Sequence, residues 1–180
     1  FYSYFKLGKE TISFSVPTGN FGDVFAGYLA KKMGLPIDKL IVATNENDIL
    51  HRAISKGDYV SKEVKETLSP SMDIQLASNF ERLIYYVNNS DTKKTVDIMK
   101  KVKQNSYQIE KNNLDIIQKD FLSESCNEQE TLDIIKKNYE ENNVILDPHT
   151  AVGVGAAKKL SFNDCIVLST AHPCKFPDAT

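Results

Sequence analysis

The chain has 180 residues, 41% of them hydrophobic and 26% charged, which fits one soluble domain or a domain with an insertion. A formal net charge of −2 leaves no basic footprint, so neither nucleic acid nor an anionic membrane is expected as a partner. No apolar run approaches the roughly 20 residues that span a bilayer, no signal-peptide pattern opens the chain, and the cysteines (Cys126, Cys165, Cys174) form no C-x-x-C pair; a reducing cytoplasm is the expected compartment.

In chain order, Phe1-Tyr2-Ser3-Tyr4-Phe5 reads as the middle of an aromatic-faced helix, and Pro177-Asp178-Ala179-Thr180 closes without a cap. Both features lead us to expect a portion of a longer protein. Ile12, Phe14 and Val16 alternate with Thr11, Ser13 and Ser15, the period of a strand, ended by Pro17. A glycine-bracketed turn follows, then helical spacing at Val24, Tyr28 and Leu29, with Gly34 and Pro36 as stop signals. Leu40-Ile41-Val42-Ala43 is a short apolar run of the kind buried on both faces of a parallel sheet. Strand, helix and strand make a right-handed βαβ unit, with ligands expected at the carboxyl ends of the strands.

Asn45-Glu46-Asn47-Asp48 can cap a helix running to Gly57, and Ser78-Asn79-Phe80-Glu81 reads as a capping box opening another. Residues 88–143 are rich in Asn, Lys and Glu and carry helical spacing at Val96, Met99 and Val102; Asn127-x-x-Glu130 is a further cap before Leu132, Ile135 and Tyr139. Val144-Ile145-Leu146 then looks like a strand, Thr150 to Leu160 a small-residue helix, and Ile166-Val167-Leu168 a buried strand. The expected architecture is an α/β core of residues 1–44 and 144–180 sharing one parallel sheet, with 45–143 a mainly helical segment and insertion.

The chemistry concentrates in Val16-Pro17-Thr18-Gly19-Asn20-Phe21-Gly22-Asp23. A turn at a strand-to-helix junction aims backbone N–H groups and a helix N-terminus at one spot, which favours a phosphate. Gly19 and Gly22 let the backbone approach a ligand; a capped turn without ligand explains the same letters about equally well. No Gly-Lys-Ser/Thr follows, so this is not a nucleotide P-loop, and a smaller phosphate ester is the expected guest. Thr170 lies just after the last strand, where a hydroxyl can bond a heterocyclic nitrogen without imposing a charge, although capping the next turn is the plainer role. His149 and His172 sit beside prolines and read as structural, His51 as solvent-facing, and no metal-ligand spacing appears.

Six segments in order are together similar to the threonine synthase family: the loop above, Ala43-Thr44-Asn45-Glu46-Asn47-Asp48-Ile49-Leu50, Thr67-Leu68-Ser69-Pro70-Ser71-Met72-Asp73-Ile74, Ser78-Asn79-Phe80-Glu81-Arg82-Leu83, Ile145 to Val154, and Leu168-Ser169-Thr170-Ala171-His172-Pro173-Cys174-Lys175-Phe176. The resemblance implies the carboxyl-terminal part of a pyridoxal-phosphate enzyme of fold type II, with a large-domain parallel sheet flanked by helices. It implies pyridoxal 5′-phosphate as cofactor, its phosphate on Gly19, Asn20, Phe21 and Gly22 and its ring nitrogen at Thr170. The implied reaction turns O-phospho-L-homoserine and water into L-threonine and phosphate. The family's Schiff-base lysine lies in a Ser-Phe-Lys-Asp segment, which this chain lacks; Lys175 is not that lysine, and Lys31 and Lys32 are expected to face solvent. No catalytic nucleophile is therefore expected within the chain, and the amino-terminal part of the same protein becomes an expected partner. The rival reading is a non-catalytic phosphate-ester-binding fragment or decayed remnant.

Overall fold

The alternation at residues 11–16 does form a strand, β1 (Ile12–Pro17), but both of its faces are covered. Ile12 and Val16 enter the apolar core, while the serines of the other face are satisfied internally: the Ser15 hydroxyl donates to Gly153 O at 2.7 Å and Ser13 Oγ accepts from Lys39 N at 3.2 Å. A buried hydroxyl is tolerated when it is hydrogen-bonded. The computed structural model describes Gly8 and residues 10–179, so the aromatic stretch Phe1–Phe5 lies outside the described residues.

The remaining elements are α1 (Gly22–Lys32), β2 (Ile37–Thr44), α2 (Ile49–Lys56), a 3-10 turn at Pro70–Met72, α3 (Phe80–Val87), α4 (Thr92–Lys103), α5 (Lys111–Asp120), β3 (Phe121–Ser125), α6 (Glu128–Asn142), α7 (Pro148–Lys159), β4 (Ile166–Val167) and a 3-10 turn at Pro173–Lys175. The sheet runs β3-β2-β1-β4 and every described pairing is parallel. β1–α1–β2 is the expected βαβ unit, with Val16 opposite Val42 and Pro17 opposite Ala43, so their carboxyl ends stand side by side.

Two expectations need correction. Val144-Ile145-Leu146 is no strand: Asn143 ends α6 in the left-handed region (φ 54), Asp147 already caps α7, and Val144 and Ile145 are exposed. A three-residue apolar run suits a connector between packed helices as well as a strand, and periodicity cannot separate them. The sheet's other outer strand is instead β3, which pairs with β2 from Leu40–Phe121 to Thr44–Ser125, inside the stretch read as a helical insertion. As an outer strand with half-buried positions it needs few apolar residues, so Phe-Leu-Ser-Glu-Ser carried little signal.

Three local expectations also change. His51 packs on β3, its Nδ1 3.2 Å from Ser123 Oγ, and is not a solvent-facing residue. Lys31 is tied down, donating to Asp38 O at 2.9 Å and pairing with Asp120 at 2.7 Å. Ser78–Glu81 forms no capping box either, because no side chain caps the N-terminus of α3 and both Ser78 and Asn79 reach across to the glycine turn. The box at Asn127 and Glu130 is present as expected. No described helix is long and apolar enough to cross a membrane.

Candidate functional site

The turn between β1 and α1 is built by its own backbone. Thr18 N–H continues the ladder to Ala43 O at 2.8 Å, and its hydroxyl folds back on Val16 O at 2.6 Å. Phe21 then takes the left-handed conformation, φ 68, unusual for a bulky residue. Its fully buried ring secures that geometry, lying 5.1 Å from the Phe80 ring and 5.7 Å from that of Phe121. Such local strain persists only where surroundings impose it, and it marks functional turns.

The consequence is a cup. Among the described residues, the N–H groups of Gly19 through Val24 have no acceptor in the protein, and these residues line a cavity of about 200 Å³. No Lys or Arg lines it, so amide dipoles and the N-terminus of α1 supply the positive potential. Asn20 is braced from outside: Asn79 donates to Asn20 O through its amide N–H (3.1 Å) and Nδ2 (3.0 Å), and Ser78 donates to Asn20 Oδ1 through N–H and hydroxyl, both at 3.3 Å.

The two glycines have different reasons. A Cβ at Gly19 would stand 2.5 Å from Ser71 O, so the protein itself requires glycine there. A Cβ at Gly22 would meet only Asn79 Nδ2, at an ordinary 3.6 Å. Nothing in the protein excludes a side chain at Gly22, which leaves the space in the cup as what glycine keeps open.

Ser71 adjoins a polar network centred on Asp73. Asp73 accepts from Asn45 Nδ2 (2.7 Å), Asn47 Nδ2 (3.0 Å) and the Thr67 hydroxyl and N–H (2.6 and 2.9 Å), pinning the loop before α3 to the end of β2. Asp48, at the N-cap position just before α2, spends its carboxylate on Arg52 at 2.9 Å, and its side chain makes no capping hydrogen bond.

A second cavity, about 180 Å³, adjoins the first; Pro17, Gly19 and Asp23 line both, and Thr170, Ala171 and His149 complete the second. Thr170 is exposed, its N–H donates to Thr150 Oγ1 at 3.4 Å, and its hydroxyl has no partner among the described residues. The structure thus brings Gly19, Asn20, Phe21, Gly22 and Thr170 to one place at the carboxyl ends of β1 and β4. His172 serves locally, its Nδ1 accepting from Cys174 N at 3.2 Å, as its reading as structural implied. His149 is fully buried and carries an unpartnered Nε2, which its position beside a proline did not reveal.

Other candidates are weaker. Burial pushes the Cys126 thiol up to about 11, which makes it a poor nucleophile. A roomier groove of about 780 Å³ between α1, α3 and α4 is faced by Phe25, Tyr85, Tyr86 and Val96 and includes none of the open amides.

Comparisons with known proteins show what the chain is similar to. A family model described as "Threonine synthase, C-terminal" matches residues 150–180. The threonine synthase of Saccharomyces cerevisiae is 48% identical over 204 residues, a match covering 99% of this chain and 40% of the yeast protein. That of Pseudomonas aeruginosa is 42% identical over 185 residues, covering 99% and 39%. The crystal structure of pyridoxal-phosphate-bound threonine synthase from Brucella melitensis aligns with a TM-score of 0.95 at 44% identity, over 99% of this chain and 39% of that one. The chain therefore spans about two fifths of the length of these relatives. By sequence and by fold it belongs to the threonine synthase family, and it corresponds to the carboxyl-terminal portion of its members.

Proposed function

We propose that the protein carrying this chain binds pyridoxal 5′-phosphate and converts O-phospho-L-homoserine and water to L-threonine and phosphate, as a cytoplasmic carbon–oxygen lyase. The observation that carries this reading is the adjacency of the two cavities. One offers unpaired amides suited to a phosphate, the other a neutral hydroxyl at Thr170, and Pro17, Gly19 and Asp23 form their common wall. A flat ring bearing a phosphate tail matches that pair of spaces. The Brucella relative is described as binding this cofactor.

The residues fit the group. The amides of Gly19 to Val24 would bind the phosphate, Gly22 leaves it room, and Asn20 is held in place by Ser78 and Asn79. Thr170 would meet the ring nitrogen with a hydroxyl that can donate or accept, so the ring need not be protonated. When bound, pyridoxal phosphate supplies the electron sink that stabilises carbanions during phosphate loss and water addition. No lysine lines either cavity. The residue that holds the reactive end of the cofactor would then come from an amino-terminal part of the protein, which joins phosphohomoserine among the partners of this surface.

The test is turnover by the full-length protein. With added cofactor, O-phospho-L-homoserine should yield inorganic phosphate and threonine in equal amounts; absence of turnover would refute the assignment.

A further inference from the structure

Behind the Thr170 cavity lies a buried cluster that the reading above leaves without a task. The Asp147 carboxylate, its side chain 1% exposed, accepts the N–H groups of His149 (3.0 Å) and Thr150 (3.3 Å), the Nδ1 proton of His149 (3.0 Å) and the Thr150 hydroxyl. Capping α7 requires only backbone donors. The two side-chain bonds do something else.

A carboxylate that takes the Nδ1 proton leaves Nε2 of a neutral imidazole as a bare acceptor. His149 Nε2 is buried and has no partner, the His149 side chain is 5% exposed, and the residue lines the same cavity as Thr170. Buried polar atoms without partners are rare in folded proteins, and one beside a ligand cavity calls for a donor brought by the ligand or its water. The Phe176 ring, 4.9 Å from the imidazole, closes its other side. Thr150 forms the second arm. With its proton given to Asp147, its oxygen accepts the Thr170 N–H at 3.4 Å. Thr170 itself makes no other hydrogen bond among the described residues; the nearest backbone tie before it is Leu168 N–H to Ser15 O at 2.9 Å.

We propose that Asp147 and Thr150 are positioning residues that hold Thr170 at the ring-nitrogen pocket, and that His149, oriented by Asp147, presents Nε2 as an acceptor to the occupant of that pocket. This rests on the pyridoxal-phosphate reading. It deepens that reading by tying the amino end of α7 to the placement of one hydroxyl after β4.

The experiment uses the full-length protein and pyridoxal phosphate, with affinity and the ring's absorption band read by spectroscopic titration. Binding of inorganic phosphate to the Gly19–Gly22 cup is read separately by phosphorus NMR. Thr150→Val should weaken cofactor binding about tenfold and shift the band, with phosphate binding unchanged, and Thr150→Ser should restore both. His149→Asn, which keeps a donor near Asp147 and deletes Nε2, should also shift the band. An unshifted band and unchanged affinity in Thr150→Val and His149→Asn would overturn the proposal. So would failure of Thr150→Ser to rescue, or an equal loss of phosphate binding, which marks general damage. Wild-type protein that does not bind the cofactor at all would overturn the cofactor reading as well; insensitive variants of a binding wild type overturn only this inference.

Discussion

Gly19 and Gly22 are three residues apart in one turn, yet the structure gives them separate physical tasks. Alanine at Gly19 would drive its Cβ to 2.5 Å from Ser71 O, a backbone atom fixed by the network around Asp73. We expect Gly19→Ala to destabilise the fold by about 1–3 kcal/mol, the usual cost of overpacking. Alanine at Gly22 meets only ordinary contact and occupies the first position of α1. Its stability should be unchanged or higher by about 0.5 kcal/mol, since alanine favours helix. Its phosphate binding should nevertheless fall at least about tenfold if the open space belongs to a ligand. Thermal melts and phosphate titrations of the two variants separate these tasks, and equal melting losses in both would contradict the distinction.

At the scale of elements, the site depends on how closely α7 lies on the sheet. Gly153 permits that approach: a Cβ there would stand 2.9 Å from Val167 Cγ1 and 3.1 Å from Pro17 Cγ. Gly153→Ala should therefore lift α7 from β1 and β4, cost about 1–3 kcal/mol, and loosen the Thr170 cavity even though the residue touches no ligand. A lowered melting temperature together with weaker cofactor binding is the expected signature. α6 is held by a tie that responds to acid. Burial alone would raise the Glu130 carboxyl, but the Lys159 ammonium, 2.7 Å away, and the Asn127 N–H hold it below its ordinary value of 4.5. Because the folded value is depressed, the tie contributes above 4.5 and is lost as pH falls through the folded value. Both side chains are 37% exposed, so solvent screens the pair and its worth is about 0.5 kcal/mol. Glu130→Gln keeps the capping geometry and should lower the denaturant midpoint slightly at pH 7. As pH falls below 4.5 and through the depressed folded value, the difference from wild type should shrink and then vanish.

For the whole molecule, the parts legible in the sequence were those whose signal is local. β1, the glycine turn and α1 announce themselves by a change of period across two glycines, and the turn lies at the carboxyl end of β1 with a cavity lined by its own residues. What stayed hidden depends on residues far apart in the chain. β3 is a strand because β2 offers it a partner, not because Phe-Leu-Ser-Glu-Ser prefers one. Ser78 and Asn79 look like a helix cap by spacing, yet their donors are used on Asn20, 58 and 59 residues away. Asp147 follows a run read as a strand and caps a helix that begins at Pro148, before the expected Thr150, and the unpartnered Nε2 of His149 appears only once the loop after β4 folds over α7. The six motif segments, by contrast, reported family membership well beyond what any single element carried.

On the proposed reading, one surface of this chain receives the tail and ring nitrogen of pyridoxal phosphate. A crystal structure of the full-length protein with the cofactor tests it most directly. We expect the 5′-phosphate on the amides of Gly19 to Gly22 and the ring nitrogen within about 3 Å of Thr170 Oγ1. A phosphate bound elsewhere, or a ring nitrogen met by a residue other than Thr170, would contradict it.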